Sequence, residues 1–187
     1  YIVSGLPRSG TSLMMQMLAR GGFHVLTDDE RAADESNPNG YYEWSEARNL
    51  AAQPDLIAHA AGRAVKIVST LLAHLPARGS YKMIFMTRPC RDIARSQHRM
   101  RLRTDPHAPA PELMEPLLEE HATAILSALR SAPNVEVMTV DYPQLLDDPD
   151  SIVDRLIAFL GAANLPSAHH MAAAVRPELC HHGKHHS

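Results

Sequence analysis

The sequence predicts a three-layer α/β fold, a central parallel sheet with helices on both faces, and three observations carry that expectation. Short apolar runs alternate with segments of helical periodicity along the whole chain, the pattern of strands joined by crossover helices. The first run passes straight through a Gly-containing turn into a helix. With 187 residues, 45% of them hydrophobic, the chain is long enough to close one full core as a single domain over residues 1–187.

Each element has its own warrant. Tyr1-Ile2-Val3-Ser4 reads as a short buried strand that ends in Gly5-Leu6-Pro7-Arg8-Ser9-Gly10. Leu13, Met14, Met17 and Leu18 then fall at helical spacing, and Gly21-Gly22 stops that helix. Residues 27–45 are polar and turn-rich, a length of loop that usually serves a function. Glu46 to Ala61 suits a helix broken at Pro54. Ala64 to Val68 and Met83 to Met86 suit buried parallel strands, with a short helix through Leu71, Leu72 and Leu75 between them, stopped by Pro76. Arg91 to Leu102 reads as an Arg-rich helix, and Thr104 to Pro111 as a Pro-rich loop. Glu112 to Arg130 makes a long helix, Val135 to Val140 a further strand, and Ser151 to Leu160 an amphipathic helix ending at Gly161.

Composition narrows the function. A net charge of −3 argues against a wholesale polybasic nucleic-acid binder and against an acidic disordered chain. Two cysteines, Cys90 and Cys180, are too few for a disulfide framework, so a reducing cytoplasmic setting is expected. No apolar run reaches the roughly 18–20 residues that span a bilayer. Six of the 12 His lie at or after His169. Their clustering around Gly183 reads as a His-rich tail from about residue 181, with no metal site expected.

The chemistry-bearing motif is Gly5-Leu6-Pro7-Arg8-Ser9-Gly10-Thr11-Ser12, between a strand and a helix. Its glycines let backbone wrap an anion, and the helix N-terminus adds unpaired N–H groups and a positive dipole end. The spacing matches the phosphate loop G-x-x-x-x-G-K-[ST], except that Thr11 stands in the place of the lysine. The fold is therefore P-loop-like, but the loop suits an anion other than an ATP triphosphate.

A second anion site follows the strand at Met83–Met86. Arg88 stands at its carboxyl end, where α/β sheets place ligand contacts, and Ser96 lies eight positions on. Two helical turns bring both toward one pocket. Arg91, Arg95 and Arg99 add a basic stripe that suits either a ligand or a solvated helix face. No aromatic residue near it could stack on bases, so nucleic acid is not expected as a partner.

Together these residues resemble the sulfotransferases that use 3′-phosphoadenosine 5′-phosphosulfate (PAPS). The resemblance rests on Pro7-Arg8-Ser9-Gly10-Thr11-Ser12 after the first strand and on Arg88 with Ser96 after a later one. A third stretch, Val140-Asp141-Tyr142-Pro143-Gln144-Leu145-Leu146-Asp147-Asp148-Pro149 followed by Phe159-Leu160-Gly161, is similar to the family's Tyr-Glu-Asp-Leu…Asp-Pro…Phe-Leu-Gly. The resemblance implies that Arg8, Ser9, Gly10, Thr11 and Ser12 bind the phosphosulfate. It implies that Arg88 and Ser96 bind the 3′-phosphate, and that Tyr142 lies near the adenine. The cytosolic branch carries Lys-x-His on the strand before the 3′-phosphate site, with the His as base. Here Lys66-Ile67-Val68 keeps the lysine and lacks the His. The tyrosylprotein and carbohydrate branches, with an acid about twenty residues beyond the first-loop cation, resemble the chain better, which points to Asp28 or Asp29.

Sulfuryl transfer needs an acceptor oxygen in line with the leaving group, a base for its proton, and cations on the transferring group. Lys66 is suited to the leaving oxygen, and Asp28 or Asp29 to the acceptor proton, unless both acids cap the following turn. Glu43 and His24 are reserve bases. The segment from Arg31 to Trp44 offers either an acceptor wall or a loop that packs Trp44. The expected acceptor is a hydroxyl on a sugar, lipid, peptide or small molecule, and the donor product is adenosine 3′,5′-bisphosphate. A P-loop small-metabolite kinase and a non-catalytic nucleotide-binding module are the competing readings.

Overall fold

A computed structural model describes residues 1–28 and 40–175. Its order of main elements is β1 (Ile2–Gly5), α1 (Thr11–Arg20), β2 (Val25–Leu26), β3 (Ala64–Lys66), β4 (Tyr81–Thr87), α2 (Cys90–Arg101), α3 (Pro111–Ser131), β5 (Val135–Asp141), α4 (Tyr142–Asp147) and α5 (Pro149–Leu160). Every strand pairing is parallel and the sheet order is β2-β3-β1-β4-β5. The expected parallel sheet is thus present. From the central β1 the chain turns first toward β2 and β3, then later toward β4 and β5. The order reverses between β1 and β4, and the carboxyl ends of those two strands frame the crevice where such sheets take ligands.

Alternation along the strands builds the three layers. Val3, Ile84, Met86, Met138 and Val140 face one core, packed under α1, α4 and α5 by Met14, Met17, Leu18, Leu145, Ile152 and Leu156. Ile2, Val65, Ile67, Met83 and Phe85 face the other, packed against Trp44, Leu50, Leu72 and, from α3, Leu129. A third, smaller cluster joins Leu6 of the phosphate loop to Ile93 and Ala94 of α2 and Leu118 of α3. The loop is therefore anchored on both of its neighbours.

Some local expectations shift. Glu46 to Ala61 forms two 3₁₀ segments, Ser45–Asn49 and Pro54–Ala60, and the helix expected around Leu71 is 3₁₀ as well, Ser69–His74. Each is only five to seven residues long, too short to sustain an α-helix of its own. The short edge strand β2 and the helix α4 went unforeseen. β2 has two residues, and α4 starts at Tyr142-Pro143 with the Asp141 carboxylate capping Gln144 N–H at 3.2 Å. The Cys180 position and the His-rich tail from 181 lie outside the described residues. Among those described, no helix is long and apolar enough to cross a membrane.

Burial predicts sharply different sensitivities to truncation. Leu156 is fully buried beneath the sheet and Leu113 is 68% exposed on α3. Leu156→Ala should cost about 2–5 kcal/mol in urea unfolding, and Leu113→Ala should stay within about 0.5 kcal/mol of the parent.

Candidate active site

The phosphate loop leaves β1 at Gly5 and enters α1 at Thr11. Gly10 is the N-cap, with φ 102°, and no side-chain cap or first-turn acid occupies that helix end. The first helical bond runs from Met14 N–H to Gly10 O at 3.1 Å, so the preceding amides have no partner within the helix. Arg8 also takes a left-handed φ, 79°, a strained state for a side chain with a Cβ.

Side chains from outside the loop hold that shape. Gln97 Nε2 donates to Pro7 O at 3.0 Å, and Arg88 Nη1 donates to Arg8 O at 3.2 Å. Arg8 Nε donates to Ser96 Oγ at 3.0 Å. Arg88, just past β4, and Ser96, on α2, thus converge on the loop through Arg8, although they lie far from it in sequence. Tyr142 completes the cluster. Its ring stacks under Arg88, whose guanidinium carbon is 4.9 Å from the ring centroid. The same ring closes over Gly10, where an added Cβ would lie 2.8 Å from Tyr142 Cε2. The three motifs of the sequence meet at one place.

These groups fit an anionic ligand of phosphate or sulfate type. Ser9 Oγ is fully buried with no hydrogen-bond partner among the described residues. A buried hydroxyl in that condition is costly unless something is to be bound. Open amides at a helix N-terminus, two guanidinium groups and the Ser9, Thr11 and Ser12 hydroxyls form a donor set with one common preference, negative charge.

A second group of side chains lies beside Ser12. Lys66, the last residue of β3, brings Nζ within 3.4 Å of Ser12 Oγ and 3.6 Å of Glu43 Oε1. Its ammonium also donates to Tyr41 O, which accepts from Ser12 Oγ at 3.3 Å. The strap from Gly40 to Trp44 therefore lies against the start of α1. Tyr42 has a φ of 51°, which turns the strap between Tyr41 and Glu43 so that a carbonyl and a carboxylate both face Lys66. Glu43 also pairs with Arg48 at 3.3 Å. Trp44 is buried in the second core, so the loop's aromatic anchor packs the domain.

Asp28 is placed differently. Its Oδ2 accepts the Ser45 N–H at 2.5 Å, and its own N–H donates to Glu43 O at 3.1 Å. The carboxylate is exposed and caps the turn that starts at Ser45. Asp29 lies outside the described residues. Glu43, read from sequence as a reserve base, is the carboxylate found against Lys66. Spacing had no means to reveal this, because Glu43 reaches Lys66 through a turn of the strap rather than through a helix or strand period.

Two other features lie apart. Burial pushes the Cys90 thiol up, and Glu119 and Glu115 push it further, so this cysteine at the start of α2 is a poor nucleophile at neutral pH. A cavity of about 570 Å³ opens at the opposite, amino-terminal edge of β1 and β4, lined by residues such as Ile57, Arg78 and Tyr81. It is far from the anion-binding groups.

The tight seat of Tyr142 on Gly10 yields a test. Gly10→Ala should destabilise the protein by about 1–3 kcal/mol through backbone strain and collision with the ring. Tyr142→Ala in the same chain should recover the collision share alone, read as a non-additive double-mutant cycle in thermal or urea unfolding.

Two comparisons with known proteins return a match. The model of the sulfotransferase domain family matches residues 1–173. A crystal structure of retinol dehydratase in complex with androsterone and inactive cofactor PAP matches at 19% identity with a TM-score of 0.48. The match covers 91% of this chain and 63% of that one, so the present chain spans less than two thirds of that protein's length. No curated protein matches the sequence.

Proposed function

The chain belongs to the sulfotransferase domain family, and from that membership we propose that it moves a sulfuryl group from PAPS to a hydroxyl acceptor. The observation that carries the reading is the convergence of Arg8, Arg88, Ser96 and Tyr142 on one Gly-turned loop at the carboxyl ends of β1 and β4. A kinase loop would place a lysine at position 11, where this chain has Thr.

In this reading the phosphate-loop amides with Ser9, Gly10, Thr11 and Ser12 hold the 5′-phosphosulfate. Arg88 and Ser96 hold the 3′-phosphate, with Arg8 between the two anions. Tyr142, whose ring already carries the Arg88 guanidinium, sits beside the adenine. When bound, the donor supplies an activated sulfuryl group on an anionic leaving oxygen. Lys66 Nζ, beside Ser12 Oγ, meets the charge that builds on that oxygen. Moving its ammonium from the Tyr41 carbonyl to the ligand is a short swing, since both lie at the start of α1.

The acceptor proton goes to a carboxylate of the strap. Asp28 and Asp29 are the sequence candidates. Glu43 has the better geometry, because its Oε1 stands 3.6 Å from Lys66 Nζ while Asp28 is engaged by the Ser45 amide. We assign Glu43 as that base. The acceptor is a hydroxyl-bearing molecule and the setting cytoplasmic, both as parts of the proposal.

Calorimetric titration with adenosine 3′,5′-bisphosphate tests the donor site. Arg88→Ala should weaken binding at least tenfold, since a charge-assisted contact is worth more than about 1.4 kcal/mol. Preference for ATP–Mg²⁺, or indifference to the substitution, would replace the sulfotransferase reading with the kinase. The base assignment has its own measurement. Glu43→Gln should leave bisphosphate binding intact and lower kcat by about 10²–10⁴, while Asp28→Asn lowers it far less. The reverse ranking would return the role to Asp28.

A further inference from the structure

The helices α2 and α3 pack as an antiparallel hairpin. Cys90, first in α2, lies near Glu115 and Glu119 of α3. At the other end His98 Nδ1 donates to Pro109 O at 2.9 Å, two residues before α3 begins. These two contacts set the register along the pair. Arg91 stands within about one turn of Glu119 and Glu120, and Arg95 is level with Glu112. Ile93 and Ala94 of α2 pack inward with Leu118 of α3 and Leu6 of the phosphate loop.

The outward side of the hairpin segregates charge. Arg91, Arg95 and Arg99 recur every four residues along α2 and are all exposed. Glu112, Glu119 and Glu120 are exposed on α3. Among the described residues none of these six forms an ion pair. Apolar surface accompanies them. Four large hydrophobic side chains stand exposed among the described residues, and three belong to this hairpin: Leu102 at 45%, Leu113 at 68% and Leu117 at 58%.

We propose that this face joins two copies of the chain, through a two-fold axis parallel to the helices that lays α2 of one protomer on α3 of its partner. The proposal goes beyond the sulfotransferase reading and does not depend on it. A two-fold contact sets one patch against itself, so the patch must be self-complementary. An antiparallel hairpin can meet its own copy face to face in two ways. One lays α2 on α2, which sets arginine on arginine and glutamate on glutamate, and like charges suppress it. The other lays α2 on α3. An axis along the helices keeps every residue at its own level, so Arg91 meets the partner's Glu119 and Glu120, and Arg95 meets the partner's Glu112. The charges thereby choose the pairing and its direction, while the three leucines supply surface that leaves water as the hairpins close. An acidic ligand would account for the arginines, but for neither the glutamates nor the leucines.

Sedimentation velocity on the purified chain at micromolar concentration and low salt should show a dimer that loosens as salt rises, because exposed charge pairs are screened. Arg91→Glu with Arg95→Glu, and separately Glu112→Lys with Glu120→Lys, should each weaken self-association at least about tenfold. Mixed in equal amounts, the two variants should pair with each other, since each supplies the charge the other lost. A fold merely damaged by substitution would gain nothing from mixing. A monomeric parent, a dimer indifferent to both reversals, or variants that stay apart when mixed overturns the proposal. Should a reversal unfold the chain, the neutral variants Arg95→Gln and Glu120→Gln carry the test. Each removes its contact twice by symmetry and should weaken the dimer about threefold, and no change in either overturns the face as well.

Discussion

The site depends on the direction of two carbonyl groups. Pro7 O accepts from Gln97 and Arg8 O accepts from Arg88, which draws these oxygens toward β4 and α2. A trans peptide sets its N–H opposite its C=O, so holding Pro7 O outward aims the Arg8 amide the other way, while the Ser9 amide donates to Leu6 O at 3.0 Å and closes the turn. Together with the left-handed Gly10, this opens the helix end to an anion. Strain at Arg8 is the local cost, and the two donors from outside the loop keep it in place.

This arrangement explains why the remote motifs are needed at all. The backbone of a short Gly-turned loop has no inherent reason to keep one shape. Leu6 gives it an apolar anchor on α2 and α3, Arg88 and Gln97 give it polar anchors, and Tyr142 fills the space above Gly10. Arg8, Arg88 and Ser96 therefore serve shape as well as charge. Their long-range contacts, 80 to 90 positions apart along the chain, make the ligand site a product of the finished sheet.

The strap provides the counterpart on the other side of Ser12. Tyr41's carbonyl is shared by Ser12 and Lys66, and Glu43 stands behind it. Lys66 is only 9% exposed, which strengthens its interactions with both the carbonyl and the carboxylate relative to water. A cation, a carboxylate and a carbonyl in so small a volume can exchange partners without large rearrangement. The Arg48 pair on the outer side of Glu43 is solvent-exposed and contributes little.

Much of this was legible in the residues. Alternating apolar runs give a parallel sheet because both faces of each strand must be covered, and Gly5 to Ser12 announces an anion loop because few other sequences join a strand to a helix in that way. Arg88 and Ser96 could be picked out by type and by their spacing after a strand end, and Tyr142 by the resemblance to the sulfotransferases. The 3₁₀ segments from Ser45 to Ala60 and the two-residue β2 could not, since their conformation comes from packing around Trp44 and Leu50 rather than from periodicity. Residue types and their order are therefore enough to announce the layers, the loop and the charges that attend it. Only the folded chain sets Glu43 rather than Asp28 against Lys66 and brings His121 of α3 to Ser69. Those choices depend on one left-handed residue in the strap and one hydrogen bond between elements 52 positions apart, neither of which has a period to read.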